Sequence, residues 1–158
     1  MKIVYDLFVR GIPKAQPRPR MTKTGHVYTP DSAKDWKEVV TAEFLARRQM
    51  TISQPVRLTV CFFFSAPKSE KKREGAYPHT QKPDADNLLK AVMDAMTDAG
   101  VWTDDAIVYS SCAEKWYGFD STGARVKVEV MEFSGKNAAV SSRGKNWQGE
   151  EDDNQRHG

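Results

Sequence analysis

The middle of the chain holds four aspartates and a lysine at spacings suited to gripping a metal ion and a phosphate. The stretch Lys82-Pro-Asp84-Ala-Asp86-Asn-Leu-Leu-Lys90 is followed by Gly100-Val-Trp102-Thr-Asp104-Asp105. Asp84 and Asp86 stand at i and i+2 where a loop enters a helix, so in extended or capping backbone their side chains can point to a common side. Asp86 and Lys90 stand at i and i+4 and share a helix face. On a helical wheel that face lies roughly opposite Leu88, Val92 and Met96, and therefore toward solvent. Asp104 and Asp105 open the next strand, one tight turn after the helix ends. Whether they reach Asp84 depends on the end of the sheet each occupies, which the sequence leaves open.

Mg²⁺ takes oxygen ligands and keeps several waters. Two or three carboxylates on a rigid edge, with open positions left over, suit phosphodiester hydrolysis: the metal activates a water and offsets charge on the scissile phosphate. A neighbouring lysine stabilises the charge of the pentacovalent transition state or helps position the water. The same residues also have ordinary uses. Asp84 or Asp86 serves as an N-cap, worth roughly 0.5–2 kcal/mol. Asp86 and Lys90 form a surface pair worth a few tenths of a kcal/mol, and Asp104-Asp105 suits a turn. Asp98 reads as solvated, and Asp94 is a candidate for orienting Lys90.

The elements that must position these groups follow from hydrophobic period. Residues 1–10 alternate, with Ile3, Tyr5, Leu7 and Val9 against Asp6, Phe8 and Arg10, which reads as a strand with one buried face. Residues 11–29 are rich in Gly, Pro and basic groups and read as a long loop or irregular hairpin. A helix starts at Pro30-Asp31-Ser32, capped by Asp31 or Ser32, with Trp36, Val40 and Phe44 as its apolar stripe and Arg47 and Arg48 in its last turn. Residues 56–66 form a strand with Val56, Leu58, Val60, Phe62 and Phe64 on one face; Cys61 and Phe63 on the other imply a central strand covered on both sides. Residues 67–83 read as a polar, lysine-rich, mobile loop. The helix from about 85 to 99 buries Leu88, Leu89, Val92, Met93, Met96 and Ala99, and Gly100 follows it as a C′ residue. Residues 106–117 and 125–133 then read as an antiparallel hairpin. The fold class is α+β, in the order β-α-β-α-β-β: a four-stranded mixed sheet with two helices packed on one side. Residues 1–133 make one domain, and the polar segment 134–158 reads as a disordered tail.

Composition narrows the function classes. The chain has 158 residues, enough for a core without disulfide staples. Its two cysteines, Cys61 and Cys112, sit in strand-like runs and not in metal or redox spacing, so both read as buried reduced thiols. No apolar run is long enough to span a bilayer, and the expectation is a soluble, cytoplasmic protein of a bacterial or phage-infected cell. The net charge of +3 hides an asymmetry. Lys14, Arg18, Arg20 and Lys23 fall in an acid-free stretch, Lys71, Lys72 and Arg73 form a second basic run, and Glu150 to Asp153 cluster near the C-terminus. A basic folded part fits a polyanionic partner. Lys14, Arg18, Arg20 and Lys23 are the candidate phosphate contacts, against the plain alternative of a solvated loop. Trp36, Trp102 and Trp116 read as core residues, with Trp102 anchoring the turn that presents Asp104 and Asp105. His26, Tyr28 and His79 are weaker candidates for contacts to DNA.

The run Asp84-Ala-Asp-Asn-Leu-Leu-Lys90, the Gly100-Val-Trp102 turn and the Asp104-Asp105 pair together resemble the signature of the RusA family of Holliday junction resolvases. Pro17-Arg-Pro-Arg20 and Gly25-His-Val-Tyr-Thr-Pro30 resemble members carried by phages and prophages, and the likeness spans residues 1–133. The resemblance implies that Asp84, Asp86 and Asp105 bind Mg²⁺ (with Mn²⁺ as a substitute), Asp104 being an alternative to Asp105, and that Lys90 assists catalysis. It implies a homodimer that makes paired symmetric nicks in a four-way DNA junction, in recombination and repair. Family members can carry arginines directly before the first catalytic aspartate. Gln81-Lys82-Pro83 stands there instead, and Lys82 is the candidate replacement as a phosphate contact, though lysine lacks arginine's bidentate fork. The rival expectations are a nuclease for flaps or forks and a catalytically inert DNA-binding module.

Overall fold

Alternating apolar residues build the sheet, and two amphipathic helices cover one of its faces. The computed structural model describes residues 1–17, 19–28, 32–48, 50–70, 75–117 and 121–132. The strands are β1 (Lys2–Arg10), β2 (Arg20–Met21), β3 (Val27–Tyr28), β4 (Val56–Phe64), β5 (Tyr77–Pro78), β6 (Val108–Tyr117) and β7 (Gly123–Val130); the helices are α1 (Lys34–Arg47) and α2 (Ala85–Asp98). The main sheet has the order β1-β7-β4-β6-β5, and β2 pairs only with β3. β4 and β6 run parallel, and every other neighbouring pair is antiparallel. A parallel pair needs a crossover, and here the crossover carries α2, the helix that begins with the candidate aspartates.

A single cluster joins Trp36, Val40 and Phe44 of α1 and Leu88, Val92 and Met96 of α2 to Val9, Leu58, Val60, Phe62, Val126 and Val128 of the sheet. Both helices therefore lie on one side, as the α+β reading requires. Burying a Leu, Val or Met side chain contributes roughly 1.5–3 kcal/mol, so α2 is held along its whole length by its inner stripe.

Several expectations are corrected. The sheet has five strands, because Tyr77–Pro78, inside the segment read as a mobile loop, pairs with Tyr117 and Trp116 of β6. β6 and β7 are not a hairpin; β4 lies between them and pairs with both. β4 is central, but only its inner face is sealed. On the outer face Arg57 is exposed and Cys61 and Phe63 are half-buried. Phe63 stacks on Phe8 with ring centroids 5.9 Å apart, which satisfies an apolar pair without a second layer. The cysteines are free, but Cys61 is half-buried and Cys112 exposed. Trp116 is also only half-buried and donates its indole N–H to Glu114 Oε2 at 3.0 Å. The N-cap of α1 is Ala33, not Ser32. Asp31, Arg18, the 71–73 basic run and the tail from residue 133 lie outside the described residues.

Candidate active site

Asp84 is the N-cap of α2, with extended backbone (φ −72°, ψ 143°), yet its side chain makes no capping hydrogen bond. Its carbonyl instead accepts from the Leu88 amide at 3.1 Å. Asp86 follows in the first turn. Both residues are exposed, and among the described residues neither carboxylate has a hydrogen-bond or ion-pair partner. The ordinary explanation for Asp84, a side-chain cap, therefore does not account for it. Two uncommitted carboxylates at the positive end of a helix are favourably placed electrostatically and supply the hard oxygen donors that Mg²⁺ takes.

The far end of α2 is closed by a tight turn. The Val101 amide donates to the Met96 carbonyl at 3.0 Å and the Gly100 amide to the Thr97 carbonyl at 2.9 Å. Gly100 adopts φ +68°, a left-handed conformation that favours glycine. Trp102, only 1 % exposed, locks the turn from inside. Its indole N–H donates to Thr97 Oγ1 at 2.8 Å, and the Thr97 hydroxyl donates to the Met93 carbonyl at 3.0 Å. The segment is also tied to the loop before β4 by the Ile52 amide, which donates to the Val101 carbonyl at 2.7 Å. Trp102 thus anchors the turn as its sequence context suggested.

This turn delivers Asp104 and Asp105 to different uses. Asp104 accepts from the Ala106 amide at 2.7 Å and caps the short 3-10 turn Asp105–Ile107. Asp105 reaches back to α2 and accepts from Lys90 Nζ at 3.1 Å. The same ammonium lies 2.9 Å from Asp94 Oδ1. Asp94 and Asp105 together raise the pKa of Lys90, the Asp94 hydrogen bond contributing most. Lys90 is therefore a charged ammonium at neutral pH, aimed by Asp94. Lys37 of α1 lies 3.9 Å from both Asp94 and Asp98, linking the two helices at this edge.

The structure thus brings Lys90, Asp94 and Asp105 into contact and places Asp84 and Asp86 at the start of the same helix. It does not gather the three aspartates into one ligand set: among the described residues no group of three His, Cys, Asp or Glu side chains is close enough to hold a metal ion. Asp84 and Asp86 match a hard cation in donor chemistry, while Asp105 is engaged by Lys90.

The basic candidates fall around this edge unevenly. The Gln16 amide donates to the Asn87 carbonyl at 2.9 Å, so the loop after β1 runs beside the first turn of α2. That contact brings the start of the acid-free basic segment to the aspartates. Lys14 pairs with Asp35 of α1 at 3.2 Å and is 40 % exposed. Arg20 on β2, Lys23 in the β2–β3 turn and Lys82 before Asp84 are exposed; Arg18 lies outside the described residues. His26 is exposed in the same hairpin. An open groove of about 1100 Å³ between β1 and residues 50–54 contains none of these groups.

Two residues near Asp84 were missed or underrated. Lys115, half-buried on β6, donates to the carbonyls of Gln81 and Pro83 at 2.6 and 2.7 Å. The signal was an alternation: Ala113, Lys115 and Tyr117 share the inner side of β6, where a lysine is out of place. His79, 6 % exposed, is packed between Phe64 and Tyr117 with centroids 4.5 and 4.3 Å away. Burial pushes its pKa down, and Lys115 adds to the effect. It is a structural histidine of the loop that leads to Asp84.

Comparison with known proteins places the chain in a family. The profile of a family described as endodeoxyribonuclease RusA matches residues 10–131. An uncharacterised protein of Bacillus subtilis (strain 168), YqaN, is 35 % identical over 138 residues, covering 80 % of this chain and 94 % of its own length. No helix among the described residues is long and apolar enough to cross a membrane. The family match takes in both strands that flank α2, the aspartates at its start and the Asp104-Asp105 turn, and the chain belongs to the RusA endodeoxyribonuclease family.

Proposed function

We propose that the protein is a Mg²⁺-dependent endodeoxyribonuclease that resolves four-way DNA junctions in recombination and repair, acting as a homodimer. The observation that carries this reading is the pair of uncommitted carboxylates, Asp84 and Asp86, on the helix whose Lys90 is aimed by Asp94 and Asp105, in a chain of an endodeoxyribonuclease family.

Asp84 and Asp86 would hold the metal, and Asp105, whose Oδ2 pairs with Lys90 in this structure, would join them as the third carboxylate on moving toward the ion. When bound, Mg²⁺ would supply charge neutralisation at the scissile phosphate and a water of lowered pKa. The Lys90 ammonium is placed to donate to a non-bridging phosphate oxygen, where negative charge grows during in-line attack. Asp94 keeps that ammonium charged and directed. The P–O3′ bond breaks, leaving a 3′-hydroxyl and a 5′-phosphate that a ligase can rejoin. Arg20, Lys23, Lys82 and, on exchange of its Asp35 partner, Lys14 contact the backbone around the cut; Arg18 belongs to the same set. These contacts position the duplex without reading its sequence. A two-fold substrate is met by a two-fold dimer, which puts one site on each opposing strand.

The test compares four-way junction, flap, fork and linear duplex of equal length, with purified protein and Mg²⁺. Preference for the junction supports the proposal. Preference for flap or fork replaces it with a branched-DNA nuclease, and binding without any cut in Mg²⁺ or Mn²⁺ leaves an inert binding module.

A further inference from the structure

We propose that Lys115 is a positioning residue of the site, one that holds the Asp84 carboxylate in place by tying the loop before it to β6. The inference rests on the reading that Asp84 binds the metal.

Lys115 sits opposite Phe62 in the parallel β4–β6 register, and Phe62 is fully buried in the core. An ammonium turned to that side is costly unless its donors are satisfied. They are satisfied by two main-chain carbonyls, those of Gln81 and Pro83. Among the described residues no carboxylate pairs with it. Two hydrogen bonds to the residues on either side of Lys82 fix the path of the chain into Asp84.

The rest of the loop shows that this is the last of a series of ties. Tyr77 and Pro78 pair with β6, and the His79 amide donates to the Lys115 carbonyl at 2.9 Å. The Lys115 side chain then carries the attachment two to four residues further, past the end of the strand pairing. On the other side Asp84 is held by α2 through its own carbonyl. Gln81 and Lys82 are exposed, and over that span the loop is held by the two Lys115 hydrogen bonds, with the Gln81 main chain also interacting with the buried His79 ring. The main-chain path through Asp84, from which its side chain projects, is therefore set by α2 after it and by Lys115 before it. Supports of this kind typically change metal affinity or activity by about 10–100-fold when removed.

The experiment compares wild type, Lys115→Met, which keeps the stem and removes the donors, and Lys115→Arg, which keeps charged donors. Mn²⁺ binding to the DNA-free protein is measured by electron paramagnetic resonance. Single-turnover junction cleavage is followed against Mg²⁺ concentration, and junction affinity is measured in Ca²⁺. The expected result is Mn²⁺ affinity reduced about 10-fold or more in Lys115→Met. Its cleavage should be restored in part by raised Mg²⁺, its junction affinity should stay within twofold, and Lys115→Arg should recover most of the loss. A purely structural latch lowers the melting temperature without moving the metal dependence. Mn²⁺ affinity within threefold of wild type therefore overturns the proposal, whatever the cleavage rate. If wild type itself neither binds Mn²⁺ nor cuts, the metal-nuclease reading fails and takes this inference with it; if wild type does both, only the role of Lys115 is at stake.

Discussion

Replacing Lys90 by Met separates catalysis from stability. The ammonium is 54 % exposed and touches Asp94 and Asp105 at 2.9 and 3.1 Å. In water an ion pair at about 3 Å has a Coulomb energy of roughly 1.4 kcal/mol. Salt and the ordering of a long side chain reduce exposed pairs to roughly 0.2–1 kcal/mol each. Methionine keeps most of the stem against the helix, and Asp94 retains Lys37 nearby. The net cost to folding is on the order of 1 kcal/mol, a fall of roughly 3–5 °C in Tm for a domain of this size. The cost to the reaction is larger if Lys90 donates to the phosphate as charge develops. Losing one such donor lowers the rate by about 10²–10³-fold. The assay pairs thermal melting with single-turnover cleavage of a four-way junction at saturating Mg²⁺. Cleavage within threefold of wild type would refute the catalytic placement of Lys90. A Tm fall beyond about 10 °C would show that its ion pairs hold the fold and that the exposure argument is wrong.

Leu88→Ala should destabilise by roughly 2–5 kcal/mol, because Leu88 is fully buried on the helix that carries Asp84, Asp86 and Lys90; urea unfolding checks this, and a loss below about 1 kcal/mol contradicts the packing described. Gly123→Ala should cost roughly 1–3 kcal/mol, since a Cβ there meets the Val9 carbonyl across the β1–β7 pairing, where backbone cannot yield; an unchanged melting curve contradicts that register. His79 should make stability fall on acidification. Its folded pKa lies below its ordinary 6.5, so the unfolded chain takes up the proton first. The stabilisation is complete above about pH 6.5 and is lost as pH drops toward the lower folded value. His79→Phe should flatten the difference in urea midpoint between pH 8 and pH 5, and an unchanged slope contradicts a buried neutral imidazole.

The local part of the site was legible because it follows from helix geometry. Asp84 before α2, Asp86 and Lys90 one turn apart, and Asp94 one turn further stand where their spacing puts them. Asp105 is different. Its contact with Lys90 depends on the Trp102 turn folding back against α2, and the hydrogen bonds of Thr97 and Ile52 that fix that turn are not periodic signals. The strand pairing around β6 and β7 was misread for a related reason. Alternation shows that a segment is a strand and says nothing of its neighbour, so two sequential strands look like a hairpin even when β4 separates them. Phe63 and Cys61 suggested a covered face because their types are apolar, whereas the Phe8–Phe63 stack satisfies that side with the sheet open. β5 is two residues long and too short to show a period. Lys115 was visible only as a lysine at an inward position, and its meaning lies in two carbonyls more than thirty residues away in sequence.

The central claim is that the free carboxylates at the start of α2 cut branched DNA. It is tested most directly by mapping the products of a synthetic four-way junction cut by wild type and by Asp86→Asn in Mg²⁺. Wild type is expected to leave paired nicks at symmetric positions on opposing strands. Asp86→Asn is expected to lose the nicks while retaining junction binding and the melting temperature. Nicks that persist in Asp86→Asn, or a wild-type protein that leaves the junction intact across metals and salt, would contradict it.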